Sequence, residues 1–316
     1  MRRSTVLTVL ALSAWLVFGF LSARSSISQT GADSDSSRAG YVGNEACAEC
    51  HDAEYTAYQG GAHGRTARDG AAVGLRANCE TCHGPGSEHV AADGDTHDPR
   101  FAIIRRFDPK HAKDAEATCL ECHKAGEQFM WEHGPHAAKG VSCIECHSLH
   151  SAKDPGGLAL LKAETPTKTC ETCHRAQALK IRRSEHMPLM EGGMECTDCH
   201  NPHGSASERQ LRAENTSELC TTCHNDKRGP MLWEHPPVRE NCMNCHEPHG
   251  SNQKHLLIAR SPYLCQRCHQ DARHPGNRYD EYQRQIDALQ LVNKGCVNCH
   301  ISVHGSNHPS GELLLR

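Results

Sequence analysis

This chain has few large apolar side chains. Five Phe, three Trp and six Tyr make aromatics only 4% of its 316 residues. A chain so short of bulky apolar groups needs something besides side chains to fill its interior. Positive charge is not in excess either. The formal net charge is −4, and losing Arg2, Arg3 and Arg24 with an export leader would take it to −7. Such an acidic chain is not a nucleic-acid binder by charge. No cysteine is spare, since all 20 fall within one short repeated motif; this argues against a lipid anchor. No strand pattern persists, and the Gly/Pro clusters GPGSEH, NPHGS, EHPPV and EPHGS read as loops and turns.

The repeated motif is Cys-x-x-Cys-His, and it occurs ten times. Its cysteines are Cys47 and Cys50, Cys79 and Cys82, Cys119 and Cys122, Cys143 and Cys146, and Cys170 and Cys173. They continue with Cys196 and Cys199, Cys220 and Cys223, Cys242 and Cys245, Cys265 and Cys268, and Cys296 and Cys299. Each motif reads as a c-type haem attachment site. Two thiols at this spacing can form thioethers with the haem vinyl groups, and the adjacent histidine then lies under the iron. A zinc site needs four ligands and gives no reason for a histidine after every second cysteine. A disulfide framework is equally indifferent to that histidine. A thioredoxin-like dithiol would occur once, near a βαβ pattern. Ten covalently bound haem c groups are the cofactor expected, with about 28 residues of mature chain for each.

Residues 1–30 have the layout of a secretory signal peptide. Arg2 and Arg3 precede an apolar run from Val6 to Leu21, then small polar residues, with cleavage expected within 22–30. An uncleaved membrane anchor is the alternative. A linker over 31–40 leads to a decahaem domain over 41–316. The fold class expected is mainly α with extensive loops, an elongated multihaem cytochrome organised around its line of haems. The clearest helix pattern spans 280–294, closed by Gly295.

The 25 histidines disclose an internal repeat. Ten are the proximal candidates within the motifs: His51, His83, His123, His147, His174, His200, His224, His246, His269 and His300. The motifs group as five two-haem units starting at 47/79, 119/143, 170/196, 220/242 and 265/296. Between the motifs of each unit lies a distal candidate: His63, His133 or His136, His186, His235 and His274, with His133 carried in the ligand set. Just after each second motif lies another: His89, His150, His203, His249 and His304. His150, His203 and His249 follow a proximal histidine by three residues, at most about 10 Å of chain, too short to reach around the same macrocycle. They are expected to ligate a neighbouring haem and so stitch units together. His97, His111, His255, His308 and the other of His133/His136 are expected to be structural or exposed.

Met130, Met187 and Met231 lie near distal candidates, but with histidines abundant their expected role is packing. Trp131 and Trp233 recur in MWEH and LWEH as repeat-specific packing. His246-Glu247-Pro248-His249 lacks the i, i+4 spacing of a zinc-protease helix. Asn215-Thr216-Ser217 reads as a chance glycosylation sequon.

The strings GNEACAECHDAEYTAYQGGAHG, CETCHGPGSEHV, VRENCMNCHEPHGS and CVNCHISVHGSNHPSG resemble the MtrA/DmsE-type decahaem cytochromes of outer-membrane electron conduits. The likeness runs from about Gly40 to Gly311. It implies bis-histidine ligation of ten haems in a staggered wire. It also implies a periplasmic protein associated with the outer membrane and sheathed by a β-barrel porin. The implied partners are a periplasmic or inner-membrane cytochrome donor and an outer-surface multihaem cytochrome or terminal reductase. No catalytic residue is expected. The alternatives are a soluble periplasmic carrier and, less favoured, a multihaem enzyme, which needs an iron with an open position.

Overall fold

The Cys-x-x-Cys-His motif is compatible with one turn of helix, because positions i, i+3 and i+4 share a face. The computed structural model, which describes residues 40–69, 78–108, 112–269 and 295–315, uses that turn throughout. In nine motifs the histidine N–H donates to the first cysteine's carbonyl at 2.9–3.0 Å. The tenth motif is itself the helix Cys79–His83.

Within each unit the two motifs are framed differently. The first begins inside the end of a helix: Asn44–Ala48, Ala112–Leu120, Pro166–Glu171, Thr216–Thr221 and Tyr263–Gln266. The second opens a new turn: Cys79–His83, Cys143–Cys146, Cys196–Cys199, and the 3-10 turns Cys242–Asn244 and Cys296–Asn298. Side-chain caps start several of these elements. Thr165 accepts from Lys168 N (3.1 Å) ahead of Pro166, and Asn215 accepts from Glu218 N (2.9 Å). The apparent sequon at Asn215 is therefore a helix N-cap.

The fold is mainly helical with extensive loops. Among the described residues the longest helices have nine residues (Asp52–Gly60 and Ala112–Leu120), and β-pairing is limited to isolated bridges. None of the described helices is long and apolar enough to cross a membrane. The helix expected over 280–294, the leader, His111 and His274 lie outside the described residues. Among the described residues buried apolar side chains are few: Tyr58, Ala92, Ala115, Trp131, Leu160, Leu161 and Ile181. Such a set cannot hold a chain of this length together, in line with the scarcity of aromatics.

Polar groups tie the motifs of a unit together. Glu80, only 2% exposed, accepts from the N–H groups of Val42 (3.0 Å), Gly43 (2.9 Å) and Gly86 (2.8 Å). In the third unit Glu195 accepts from Thr167 N (2.9 Å) and from the Thr167 hydroxyl. Each of these carboxylates thereby links the flank of one motif to the other.

Candidate haem sites

The ten motifs are arranged as consecutive neighbours. Within each unit the first cysteines of the two motifs are close enough to perturb each other's thiols: Cys47 and Cys79, Cys119 and Cys143, Cys170 and Cys196, Cys220 and Cys242, and Cys265 and Cys296. Between units the electrostatic coupling passes to second cysteines. Cys82 interacts with Cys119 and Cys122, Cys146 with Cys173, Cys199 with Cys223, and Cys245 with Cys268. All 20 are free thiols, the form in which they can become thioethers.

Opposite eight of the proximal histidines lies a second imidazole. The pairs are His51–His89 (6.3 Å between ring centroids), His123–His63 (5.9 Å), His83–His150 (6.0 Å) and His174–His136 (6.0 Å). The others are His147–His203 (6.0 Å), His200–His249 (6.2 Å), His269–His235 (6.2 Å) and His246–His304 (6.1 Å). A metal–nitrogen bond of about 2 Å on each side, plus about 1 Å from nitrogen to each ring centre, places the centroids roughly 6 Å apart. The pairs fit an iron held between two axial imidazoles. Among the described residues no cluster of three or more His, Cys, Asp or Glu could hold a metal ion by itself. Burial is the largest cause pushing His63, His150, His203, His249 and His304 below the ordinary histidine value, His203 to about 4. That keeps them neutral, the ligating form.

Seven of the eight pairs cross from one unit to another. His63, His136 and His235 face the first motif of the next unit, whereas His150, His203, His249 and His304 face the second motif of the preceding unit. His51–His89 alone lies within a unit.

Two local devices orient these rings. Every second-motif histidine donates from Nδ1 to a backbone carbonyl: His83 to Arg105, His147 to Ala159, His200 to Arg209, His246 to His255 and His300 to Leu313, all within 2.7–2.8 Å. Four of these carbonyls lie on loops with left-handed non-glycine residues: Leu160, Arg209, Gln210, His255, Leu256 and Leu314 have φ between 54° and 60°. Each costs about 1–3 kcal/mol and marks a loop held for its function. The second device is the glycine after His203, His249 and His304. At Gly204 (φ 110°), Gly250 (φ 135°) and Gly305 (φ 122°) a Cβ would collide with Met130, Lys180 and Met231 of the preceding unit. Ser251 and Ser306 then bridge to Glu185 and Trp233. Neither device was read from the sequence, although the recurrent His-Gly-Ser was its visible trace.

Comparison with known proteins follows this geometry. A model of the doubled CXXCH motif matches residues 186–229 and 235–274, and one of NrfB-like c-type cytochrome proteins matches 79–160. The chain is 36% identical over 242 residues to the multihaem cytochrome MtrA of Shewanella baltica, covering 75% of this chain and 70% of that one. The chain belongs to the MtrA family of multihaem cytochromes. It is also 29% identical over 141 residues to the cytochrome c-type protein NrfB of Escherichia coli, covering 42% of this chain and 65% of that one. As an MtrA-family protein it binds haem c covalently and transfers electrons. The haem supplies the one-electron iron couple, and the polypeptide holds and orients it.

In two places this MtrA-family chain departs from the ligand set expected from sequence. His136, not His133, faces His174. Its Nδ1 donates to Pro202 O (2.8 Å), whereas His133 is exposed at the end of a 3-10 turn, Trp131–His133. His224 faces no imidazole among the described residues. The distal candidate His186, which by the pattern of His63, His136 and His235 would face it, is half-buried, with Nδ1 on Arg183 O (2.7 Å) and Nε2 on the Glu191 carboxylate (3.0 Å). His255 contributes its backbone carbonyl, and the His308 carbonyl accepts from Trp233 Nε1 (3.0 Å). His97 is exposed beside Asp95.

Proposed function

We propose that this chain carries ten haem c groups and serves as a conduit for electrons across the outer membrane. In this reading residues 1–30 are the export leader, 31–40 a linker and 41–316 the decahaem domain in the periplasm. A β-barrel porin sheaths the wire. Electrons pass between a periplasmic or inner-membrane cytochrome donor and an outer-surface multihaem cytochrome or terminal reductase, in either direction. The observation that carries the proposal is the set of eight facing imidazole pairs, seven of which link one two-motif unit to the next from the first unit to the fifth. A wire requires each haem to have a close neighbour on either side.

The second ligands are the eight facing histidines, with His136 in place of His133. We assign the two distal candidates left over, His186 and His274, to His224 and His300. Paired imidazoles close both axial positions, which suits electron transfer and disfavours substrate chemistry at the iron. The likeness to an NrfB-type cytochrome over 79–160 favours a second reading, a soluble periplasmic carrier feeding one reductase.

Purification of the native protein from membranes in mild detergent, with haem staining and mass spectrometry, separates the two. Co-purification with a large β-barrel protein is expected. Recovery of the haem protein alone in the periplasmic fraction would instead establish the soluble carrier.

A further inference from the structure

One of the distal imidazoles meets a carboxylate of its own chain. Glu247 Oε1 lies 3.3 Å from Nδ1 of His249 and also accepts from the His249 backbone N–H (3.4 Å). The other oxygen, Oε2, accepts from Lys180 Nζ at 2.6 Å. Lys180 ends the helix Arg175–Lys180 of the third unit, the unit to which His200 belongs. The Glu247 and His249 side chains are only 20% and 32% exposed, so solvent screens their contact weakly. His249 faces His200 across 6.2 Å at 13°. With Nδ1 turned to Glu247, Nε2 is the nitrogen left for the sixth haem, the one of Cys196, Cys199 and His200. An imidazole bound to a metal through Nε2 carries its proton on Nδ1 and donates it outward.

The other units have no carboxylate at this position. Two residues before the corresponding histidine stand Ser87, Ser148, Asn201 and Ser302. The third unit gives the closest comparison, because its turn reads NPHGS where the fourth unit reads EPHGS. The two turns share their backbone bonds. Asn201 N donates to Gln210 O (2.7 Å) and Gly204 N to Asn201 O (3.1 Å). Glu247 N likewise donates to Leu256 O (2.7 Å) and Gly250 N to Glu247 O (3.1 Å). Asn201 Oδ1 accepts the His203 backbone N–H (3.1 Å), but Nδ1 of His203 has no partner among the described residues. The carboxylate across that unit boundary, Glu127, is paired with Arg212 (2.9 Å) instead.

We propose that Glu247 is a positioning residue that lowers the reduction potential of the sixth haem by accepting the Nδ1 proton of its second ligand, His249. This rests on the reading of His249 as a ligand of that iron. A carboxylate on Nδ1–H draws the proton outward and makes the imidazole a stronger electron donor, which favours Fe(III) over Fe(II). Lys180, on the other carboxylate oxygen, opposes that pull and keeps it moderate. The fourth haem, between His147 and His203, receives no such contact. Haems held by identical motifs are thus tuned apart by one residue outside the ligand set.

The test is a potentiometric titration of the full-length holoprotein, followed by visible absorbance and by electron paramagnetic resonance. His249→Met identifies the component of the sixth haem, because a thioether in place of the imidazole raises its potential. Glu247→Gln should raise that same component, by up to a tenfold change in its Fe(III)/Fe(II) ratio, about 59 mV. Lys180→Gln should lower it, since the carboxylate is then left to the ring alone. Asn201→Glu, which gives the third unit the turn of the fourth, should lower one other component. An unmoved component in Glu247→Gln, or a shift of the same sign in Glu247→Gln and Lys180→Gln, would overturn the proposal. A high-spin haem in Glu247→Gln would overturn it too, by showing that Glu247 holds the ring in place rather than tuning it. If His249→Met leaves all ten components where they were, the ligand reading itself has failed, which separates that failure from failure of the carboxylate contact. A high-resolution structure of the wild-type holoprotein needs no variant: Glu247 within hydrogen-bond distance of His249 Nδ1 upholds the proposal, and another partner there overturns it.

Discussion

The two motifs of each unit are identical in sequence pattern and unlike in precision. Second-motif histidines all have Nδ1 on a backbone carbonyl, and four of them face their partners nearly parallel, with interplanar angles of 13–16°. Among the described residues no first-motif histidine has a carbonyl on Nδ1, and their ring angles scatter over 21°, 89°, 68° and 24°. His224, also a first-motif histidine, faces no described imidazole. The difference lies in the segments that supply the partners. His150 to His304 come from a short loop three or four residues past the preceding motif, and in the last three units a glycine pins that loop to the unit before. His63, His136, His186 and His235 come from inter-motif stretches of differing length and sequence. One half of the repeat is machined by backbone contacts, and the other is left to side chains.

The largest effect is expected from breaking the precise half at its pin. Gly250→Val places a side chain on a backbone at φ 135° and into the Lys180 carbonyl, which together cost roughly 3 kcal/mol. His249 should then withdraw from His200, giving a high-spin haem in the paramagnetic resonance spectrum and a lower denaturation midpoint. Gly192→Ala is the control. It also has positive φ (73°), but nothing lies within 4 Å of its Cβ, so it should lose only about 1 kcal/mol and keep every haem low-spin. Equal losses in the two variants would mean that the docking contact contributes nothing.

In the looser half, His136→Ala should convert one haem to high spin and open it to carbon monoxide, while His133→Ala should do neither. The opposite result would restore His133 to the ligand set. That choice shows where sequence reading reaches its limit. The motifs, the ten proximal histidines and the need for distal partners were legible because covalent attachment imposes a rigid spacing. The neighbour rule for His150, His203 and His249 was legible because chain length alone forbids the other outcome. His133 and His136 compete for one role in the sequence, and the Glu-His pair that His133 shares with His186 and His235 does not decide between them. Yet Gly134 and Pro135 carry the chain from one short helical element into another, Pro135–Ala138, and it is His136 on that second element whose ring reaches Pro202 and His174. Similar strings do not guarantee similar ring directions when a proline intervenes. The left-handed loops were hidden for a related reason, since Leu160, Leu256 and Leu314 carry no residue signature of positive φ.

A smaller effect is expected at Asp154, which organises the loop carrying Ala159, the acceptor for His147. Burial works against its ionisation, but hydrogen bonds from Ala159 N (2.9 Å) and Leu161 N (2.7 Å) outweigh it and hold the carboxyl below its ordinary value. A carboxylate with a lowered folded pKa contributes stability that is fully present above the unfolded value and lost as pH falls through the folded one. Amide exchange at Ala159 and Leu161 should therefore be protected at neutral pH, and that protection should fall in acid below the usual carboxylate range. Asp154→Asn should remove the acid dependence, and its persistence in that variant would place the responsible group elsewhere.

The smallest effect is expected at Asn215, and it bears directly on why first-motif rings are less uniform. The helix Thr216–Thr221 carries Cys220 near its end, so its start determines where the motif turn falls. Asn215 supplies the only described side-chain cap at that start, and replacing it with Ala should cost about 1 kcal/mol. Asn215→Asp should retain the cap, because the carboxylate accepts the same Glu218 N–H and suits the helix N-terminus. If first-motif geometry is set locally by such caps, Asn215→Ala should broaden the signal of the haem at His224 while leaving that at His246 sharp. If both signals stay unchanged while the melting temperature falls, the cap only stabilises the helix. The variability of first-motif rings must then come from the distal segments alone.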